Sequence, residues 1–222
     1  MVRSPFCFNS GIYSHTFYLS YKNGSVTRER IRDDVAEGQW DLFNQLLNST
    51  PRGNFGNIGL YFDYPEITPH DVQGDFRFNK DNDKVIKFAS KEVEARALIE
   101  GQFMAKRLHI EKMGFEINPS TRILVTGGAS VNEPILQILS DVFNAPVFTQ
   151  EETQNSAALG AAFRARYVHQ GGEDTKTFEE SVGKPTETHC ITPHKDAKSV
   201  SIFLISYRNG FCVGQFSRFL MN

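Results

Sequence analysis

The stretch Arg122–Ala165 sets the tightest limit on what this chain can fold into. Ile123–Thr126 is an apolar run that ends in Gly127-Gly128, which suits a buried parallel strand closed by a turn. With no Cβ at either glycine, backbone there can approach a ligand closely. Asn132 is placed to cap the helix that follows, with Pro134 in its first turn, where a missing N–H costs little. A short strand at Ala145–Thr149 and a helix over Ser156–Val168 complete the unit. The sequence therefore places a loop at the carboxyl end of a strand and beside a helix N-terminus, where open α/β sheets bind ligands. That second helix carries Ala157, Ala158, Gly160, Ala161 and Ala162. Such a face permits close approach to a sheet or ligand, although alanine is also the best helix former.

The other segments give fewer constraints. Residues 1–14 show no clear period. Thr16–Lys22 and Ser25–Ile31 flank Asn23-Gly24, and an Asn-Gly pair between extended runs predicts a β-hairpin. A helix is expected over Val35–Leu47, with Trp40, Phe43, Leu46 and Leu47 on one face. Trp40 is the single tryptophan. It reads either as a core anchor or as a platform on which a flat base could stack. Gly53-Asn-Phe-Gly-Asn-Ile-Gly59 has the look of a phosphate cradle, but no Lys-Ser/Thr follows it, so a turn before a strand at Ile58–Phe62 is the better reading. Asp63–Ala89 reads as a polar surface excursion with short extended pieces. Glu92–Met113 is the longest helical pattern, acidic at its start, basic at its end and stopped by Gly114. Val93, Ala97, Met104 and Leu108 share a stripe around Gly101. A glycine inside a helix costs about 1 kcal/mol relative to alanine, so something packs closely at Gly101, and a crossing helix is the expected neighbour. Gln170–Lys198 is polar and linker-like, and Val200–Asn222 is Phe-rich, either a hairpin around Asn209-Gly210 or an exposed tail.

Composition removes several classes of function. The chain has 222 residues, 40% hydrophobic, enough for a substantial core. Its net charge is −2 and it has no basic run, which argues against nucleic acid as a partner. Cys7, Cys190 and Cys212 are odd in number and far apart, which fits a reducing, cytoplasmic setting. No run of 18 apolar residues implies a membrane span, the N-terminus does not read as a signal peptide, and no internal repeat is evident.

The catalytic inventory is thin. Gly-x-Ser-x-Gly, His-Glu-x-x-His and Cys-x-x-Cys are all missing. Gly127–Asn132 does not match Gly-x-Gly-x-x-Gly. His189, Cys190 and His194 lack a second pair of ligands at metal-site spacing. Glu100, between Ile99 and Gly101, is the best carboxylate candidate, although a helix-face carboxylate is usually solvated or in an i,i+4 pair. Spacing alone supports a small-molecule or nucleotide site and no named chemistry.

Three motifs carry a resemblance. Arg96-Ala-Leu-Ile-Glu-Gly-Gln102, Thr126-Gly-Gly-Ala-Ser-Val-Asn132 and Asn155-Ser-Ala-Ala-Leu-Gly-Ala-Ala162 resemble, in order, the helix, adenosine and closing-helix motifs of the xylulose kinases in the FGGY carbohydrate kinase family. The similarity covers about Thr16–Lys198. It implies an α/β chain of the actin-like ATPase (ribonuclease H-like) fold: the C-terminal domain, a mixed sheet with helices on both faces, incomplete at its N-terminal edge. It divides the chain into an atypical segment 1–15, the nucleotide-side domain 16–170, a linker-like extension 171–199 and an atypical tail 200–222. ATP and Mg2+ are the implied cofactors and D-xylulose the implied small-molecule substrate, phosphorylated to D-xylulose 5-phosphate. Carried over, Gly127, Gly128, Ala129 and Asn132 line the adenosine pocket and Trp40 flanks it.

Family members begin several hundred residues earlier, and the catalytic base and sugar site are expected in that half. This chain alone is therefore expected to lack turnover. The alternatives are a non-catalytic nucleotide-binding module and a poorly folded truncated isoform. The sequence sets no oligomeric state.

Overall fold

A computed structural model of the chain describes residues 19–150, 155–182 and 188–197. Both termini of the sequence, including the Phe-rich tail, the N-terminal segment and Asn209-Gly210, lie outside the described residues.

The fold is organised on the longest helix. α3 spans Lys91–Lys112, opened by Ser90, whose side chain accepts from the Val93 amide, and followed by Gly114 at φ +87°. Around it pack α1 (Ser25–Ala36), α2 (Trp40–Asn48), α4 (Glu133–Phe143) and the strand β1 (Ile58–Phe62). Its buried side chains include Leu98, Ile99, Phe103, Met104 and Leu108. Each large apolar side chain so removed from water contributes roughly 1.5–3 kcal/mol before chain entropy is counted.

Two three-stranded sheets flank this helix core. One is antiparallel, in the order β1-β2-β3, with β2 at Gly74–Phe78 and β3 at Lys84–Val85. All five residues of β1 are buried, and the strand packs against α3. The other sheet is mixed. β4 (Ile123–Leu124) runs parallel to β5 (Val147–Gln150), and β5 pairs antiparallel with β6 (Thr188–Ile191). Beyond α5 (Ser156–His169), the short helix α6 (Phe178–Val182) packs against it. β6 and α6 both come from the polar stretch 170–198, to which the sequence reading assigned no regular element.

Gly101 faces backbone. A Cβ there would collide with the carbonyl oxygen of Gly59 in β1. The close neighbour is thus a strand rather than the crossing helix expected, and glycine is what lets α3 lie that close to it.

Three other expectations are corrected. The hairpin around Asn23-Gly24 does not form: Ser25–Ala36 is helical, and Gly24 has φ −108°, whereas a hairpin turn of the Asn-Gly type needs positive φ. Asn23 is buried, with its side-chain amide donating to the Tyr64 carbonyl and to Glu66. Those partners lie some forty residues away, where a local rule cannot see them. The single helix expected over Val35–Leu47 is two, broken where Glu37 and Gly38 adopt left-handed φ of 53° and 75°. Within the run Ile123–Thr126, Ile123–Leu124 forms a strand parallel to β5, but it is not buried on both faces. It lies at the sheet edge, and Leu124 is 58% exposed.

Candidate functional site

The loop after β4 is built as its composition dictates. Gly127 has φ +84°, which a side chain would strain, and no atom lies near where a Cβ on Gly127 or Gly128 would sit. A single 3-10 turn, Gly128–Val131, follows. It is pinned by the Ser130 hydroxyl donating to the Gly127 carbonyl at 2.7 Å. Asn132 then caps α4, its Oδ1 accepting from the Ile135 amide at 3.2 Å, with Pro134 in the first turn.

This turn closes one wall of a cavity of about 660 Å³. Thr126, Gly128, Ala129, Val131 and Asn132 form that wall. α2 supplies Trp40 and Asn44, one helical turn apart. α1 supplies Ser25, Arg28 and Glu29, again on one face. The Asn132 amide donates to Asn44 Oδ1 at 2.9 Å, joining the loop to α2. The cavity has the size of a small-molecule site. Of the five residues singled out in the sequence, Trp40, Gly128, Ala129 and Asn132 line it, and Gly127 shapes the turn that brings the last three there.

Trp40 stands between the core and the cavity. Its ring is half-buried and meets Phe43 edge-on, with centroids 5.6 Å apart. The Arg32 guanidinium lies 4.8 Å from its centroid, within cation–π range. Packing from two sides fixes the ring, and its remaining surface faces the cavity.

Sequence reasoning missed the contribution of α1. Once Ser25–Ile31 was assigned to a strand, Ser25, Arg28 and Glu29 no longer shared a face. The signal was present: Thr27, Ile31 and Val35 recur every four residues, and all three are buried. Asn44 was within reach as the i+4 neighbour of Trp40.

Other candidate groups take structural roles. Glu100 is 2% exposed, and of the two outcomes expected for a helix-face carboxylate, solvation or an i,i+4 pair, it takes the second, with Arg96. Its Oε1 accepts from Arg96 Nε at 2.7 Å and from the Gly53 amide at 3.0 Å. Burial pushes this carboxyl up, against the opposing pull of Arg96 and that amide. Arg96 also donates to the carbonyls of Leu47 and Thr50, each at 2.9 Å. The glycine-rich turn thus aims an amide inward at a carboxylate, as a structural turn does. His194 faces buried Asp141, its Nδ1 at 3.0 Å from Oδ2, while His189 and Cys190 are exposed on β6. Among the described residues no three His, Cys, Asp or Glu groups are placed to share a metal ion. The small residues of α5 are exposed rather than packed on a sheet, and Tyr167 is its buried residue. No described helix is long and apolar enough to cross a membrane.

Comparison with known proteins decides the family. Residues 15–168 match the C-terminal domain of the FGGY family of carbohydrate kinases. The chain belongs to this family. It is 48% identical over 187 residues to the xylulose kinase of Rattus norvegicus, covering 84% of this chain and 34% of that one. It is 43% identical over 164 residues to xylulose kinase 2 of Arabidopsis thaliana, covering 69% and 29%. The chain therefore spans about a third of the length of these relatives. Among solved structures, a ligand-bound xylulose kinase from Lactobacillus acidophilus superposes with a TM-score of 0.67 at 21% identity, over 90% of this chain and 40% of that one. A glycerol kinase from Plasmodium falciparum, crystallised with ADP, gives 0.60 at 15% identity, over 89% and 37%. The architecture is that of the FGGY kinases, the actin-like ATPase fold expected from the motifs. The β4–turn–α4 unit and the Trp40 helix both lie within the matched FGGY domain.

Proposed function

We propose that the cavity between α1, α2 and the 127–132 turn holds the adenosine of ATP, and that the chain is the nucleotide-side part of a D-xylulose kinase. One observation carries this reading: Trp40, Gly128, Ala129 and Asn132, drawn from two distant segments of an FGGY domain, line one cavity of nucleoside size. A flat base fits beside the fixed indole, where stacking is worth ~1–3 kcal/mol. Gly128 admits close backbone approach, because nothing crowds its Cβ position. The side-chain amides of Asn44 and Asn132 offer donors and acceptors suited to a ribose or base edge.

The proposed reaction moves the γ-phosphoryl of ATP, with Mg2+, to a hydroxyl of D-xylulose. Such transfer rests on positioning, metal and an oriented hydroxyl. In this reading the chain supplies positioning on the adenosine side, binds nucleotide alone, and does not turn over xylulose alone.

The single tryptophan provides the test. Titrating the chain with ADP, or with ATP and magnesium, is expected to change Trp40 fluorescence saturably and to raise the melting temperature. At 100 times Kd the added stability is about 2.7 kcal/mol. Trp40→Phe is expected to abolish the optical signal and keep the thermal one, and Asn44→Ala to weaken both. Millimolar nucleotide that moves neither readout would overturn the adenosine assignment. Turnover of xylulose by the purified chain would overturn its dependence on further polypeptide.

A further inference from the structure

Lys106 lies on α3 and is not among the residues that line the nucleotide cavity, and the proposed function makes no use of it. It lines a groove of about 720 Å³ beside β4, the edge strand of its sheet among the described residues. The walls of that groove are mostly apolar, with Leu19, Phe103, Ile110, Leu124 and Phe143 among them, and Thr121 and Arg122 add polar groups. The Lys106 amine stands 4.9 Å from the Tyr21 ring centroid and 5.7 Å from that of Phe103. Among the described residues no carboxylate pairs with it.

The charged and titratable groups around it come from two helices, α1 and α3, from the loop 63–73, from Tyr21 just before α1 and from Arg122 in the groove lining. α1 presents Arg28 and the loop 63–73 presents Glu66. α3 itself adds His109, whose Nδ1 faces the Tyr21 hydroxyl at 3.2 Å. Burial holds His109 below the usual histidine range and lifts Tyr21 to about 12, so neither supplies charge near neutral pH. Burial, reinforced by Arg28 and opposed by Glu66, lowers the Lys106 ammonium from 10.5 to about 8. At pH 7.5 roughly a quarter of such a group is free amine, against about a thousandth for an ordinary lysine.

We propose that Lys106 is a carbonyl-reactive lysine that forms imines with aliphatic aldehydes, the alkyl chain lying in the apolar groove. A neutral amine in an apolar setting beside a second cation is the arrangement that activates lysine toward carbonyls. The Nζ lone pair adds to the carbonyl carbon. The carbinolamine then loses its oxygen, with the two amine protons, as one molecule of water, leaving a C=N bond. No oxidation or reduction occurs. An apolar chain gains by leaving water for the groove, whereas a hydroxylated carbonyl compound does not.

The test uses the full chain with limiting hexanal, trapping imine as a secondary amine with cyanoborohydride and mapping label by peptide mass. Label is expected at Lys106 in about tenfold excess over exposed Lys112 at the end of the same helix. Its rate is expected to rise with pH through a midpoint near 8. Hexanal is expected to outcompete glycolaldehyde at this residue, and Lys106→Arg to remove the dominant site. Even labelling, a midpoint near 10.5, or equal reaction with the two aldehydes would each overturn the proposal. Should the arginine variant fold poorly, the label map and pH profile of the unaltered chain decide alone.

Discussion

A methyl group on Gly101 would overlap the carbonyl oxygen of Gly59, so helix α3 and strand β1 meet backbone to backbone. Gly101→Ala is therefore expected to cost at least about 2 kcal/mol, because neither the strand nor the helix axis can move without disturbing the core on both sides. Urea unfolding checks this. A variant as stable as the parent would mean that β1 does not lie on α3.

Arg96 and Glu100 form a buried pair whose parts cannot be removed singly. Arg96→Met would leave Glu100 without its cation and the carbonyls of Leu47 and Thr50 without a donor. The expected loss is about 3–5 kcal/mol. Denaturant midpoints measured at constant slope give the value, and a loss below about 1 kcal/mol would contradict the pairing.

Glu66 makes stability depend on pH. Burial raises its carboxyl, but the amides of Lys22, Asn23 and Ile67 and the side chain of Asn23 outweigh this and hold it below 4.5. A carboxylate with a depressed folded pKa stabilises fully above its unfolded value and loses that contribution as pH falls through the folded one. Stability is thus expected to drop below about pH 4.5. In Glu66→Gln this acid-dependent component is expected to vanish, along with about 2 kcal/mol at neutral pH. Parallel melting curves from pH 7 to 3 for both proteins test it.

Asn132 has two roles that substitutions separate. Its Oδ1 caps α4 and its amide donates to Asn44. Asn132→Ala is expected to cost about 1 kcal/mol of stability and to weaken nucleotide binding. Asn132→Asp keeps the cap and should change stability little, while still losing the donor toward Asn44. Calorimetric titration with ADP beside thermal melting distinguishes the two effects.

What could be read in the sequence followed local physics. The charge-ordered α3 with its glycine stop, the turn before β1, and Gly127-Gly128 leading to an Asn cap are each set by residues a few positions apart. The small-residue run of α5 gave a helix correctly but not its surroundings, since alanine favours helix whether or not anything packs on it.

What tertiary structure alone decided lay where a local signal has two outcomes. Asn23-Gly24 could turn a hairpin in isolation, but Glu66 and Tyr64 bind the Asn23 side chain, and Thr27, Ile31 and Val35 then bury a helical stripe. Glu100 could have been a solvated carboxylate, but the inward Gly53 amide and Arg96 keep it buried. The sequence by itself determined α3, α4, α5 and the strand-end loop, because hydrogen bonding and side-chain period act over a single turn. The cavity that joins Trp40 to Gly128 and Asn132 was decided by the packing of α1 and α2 on α3, through contacts between residues distant in the chain.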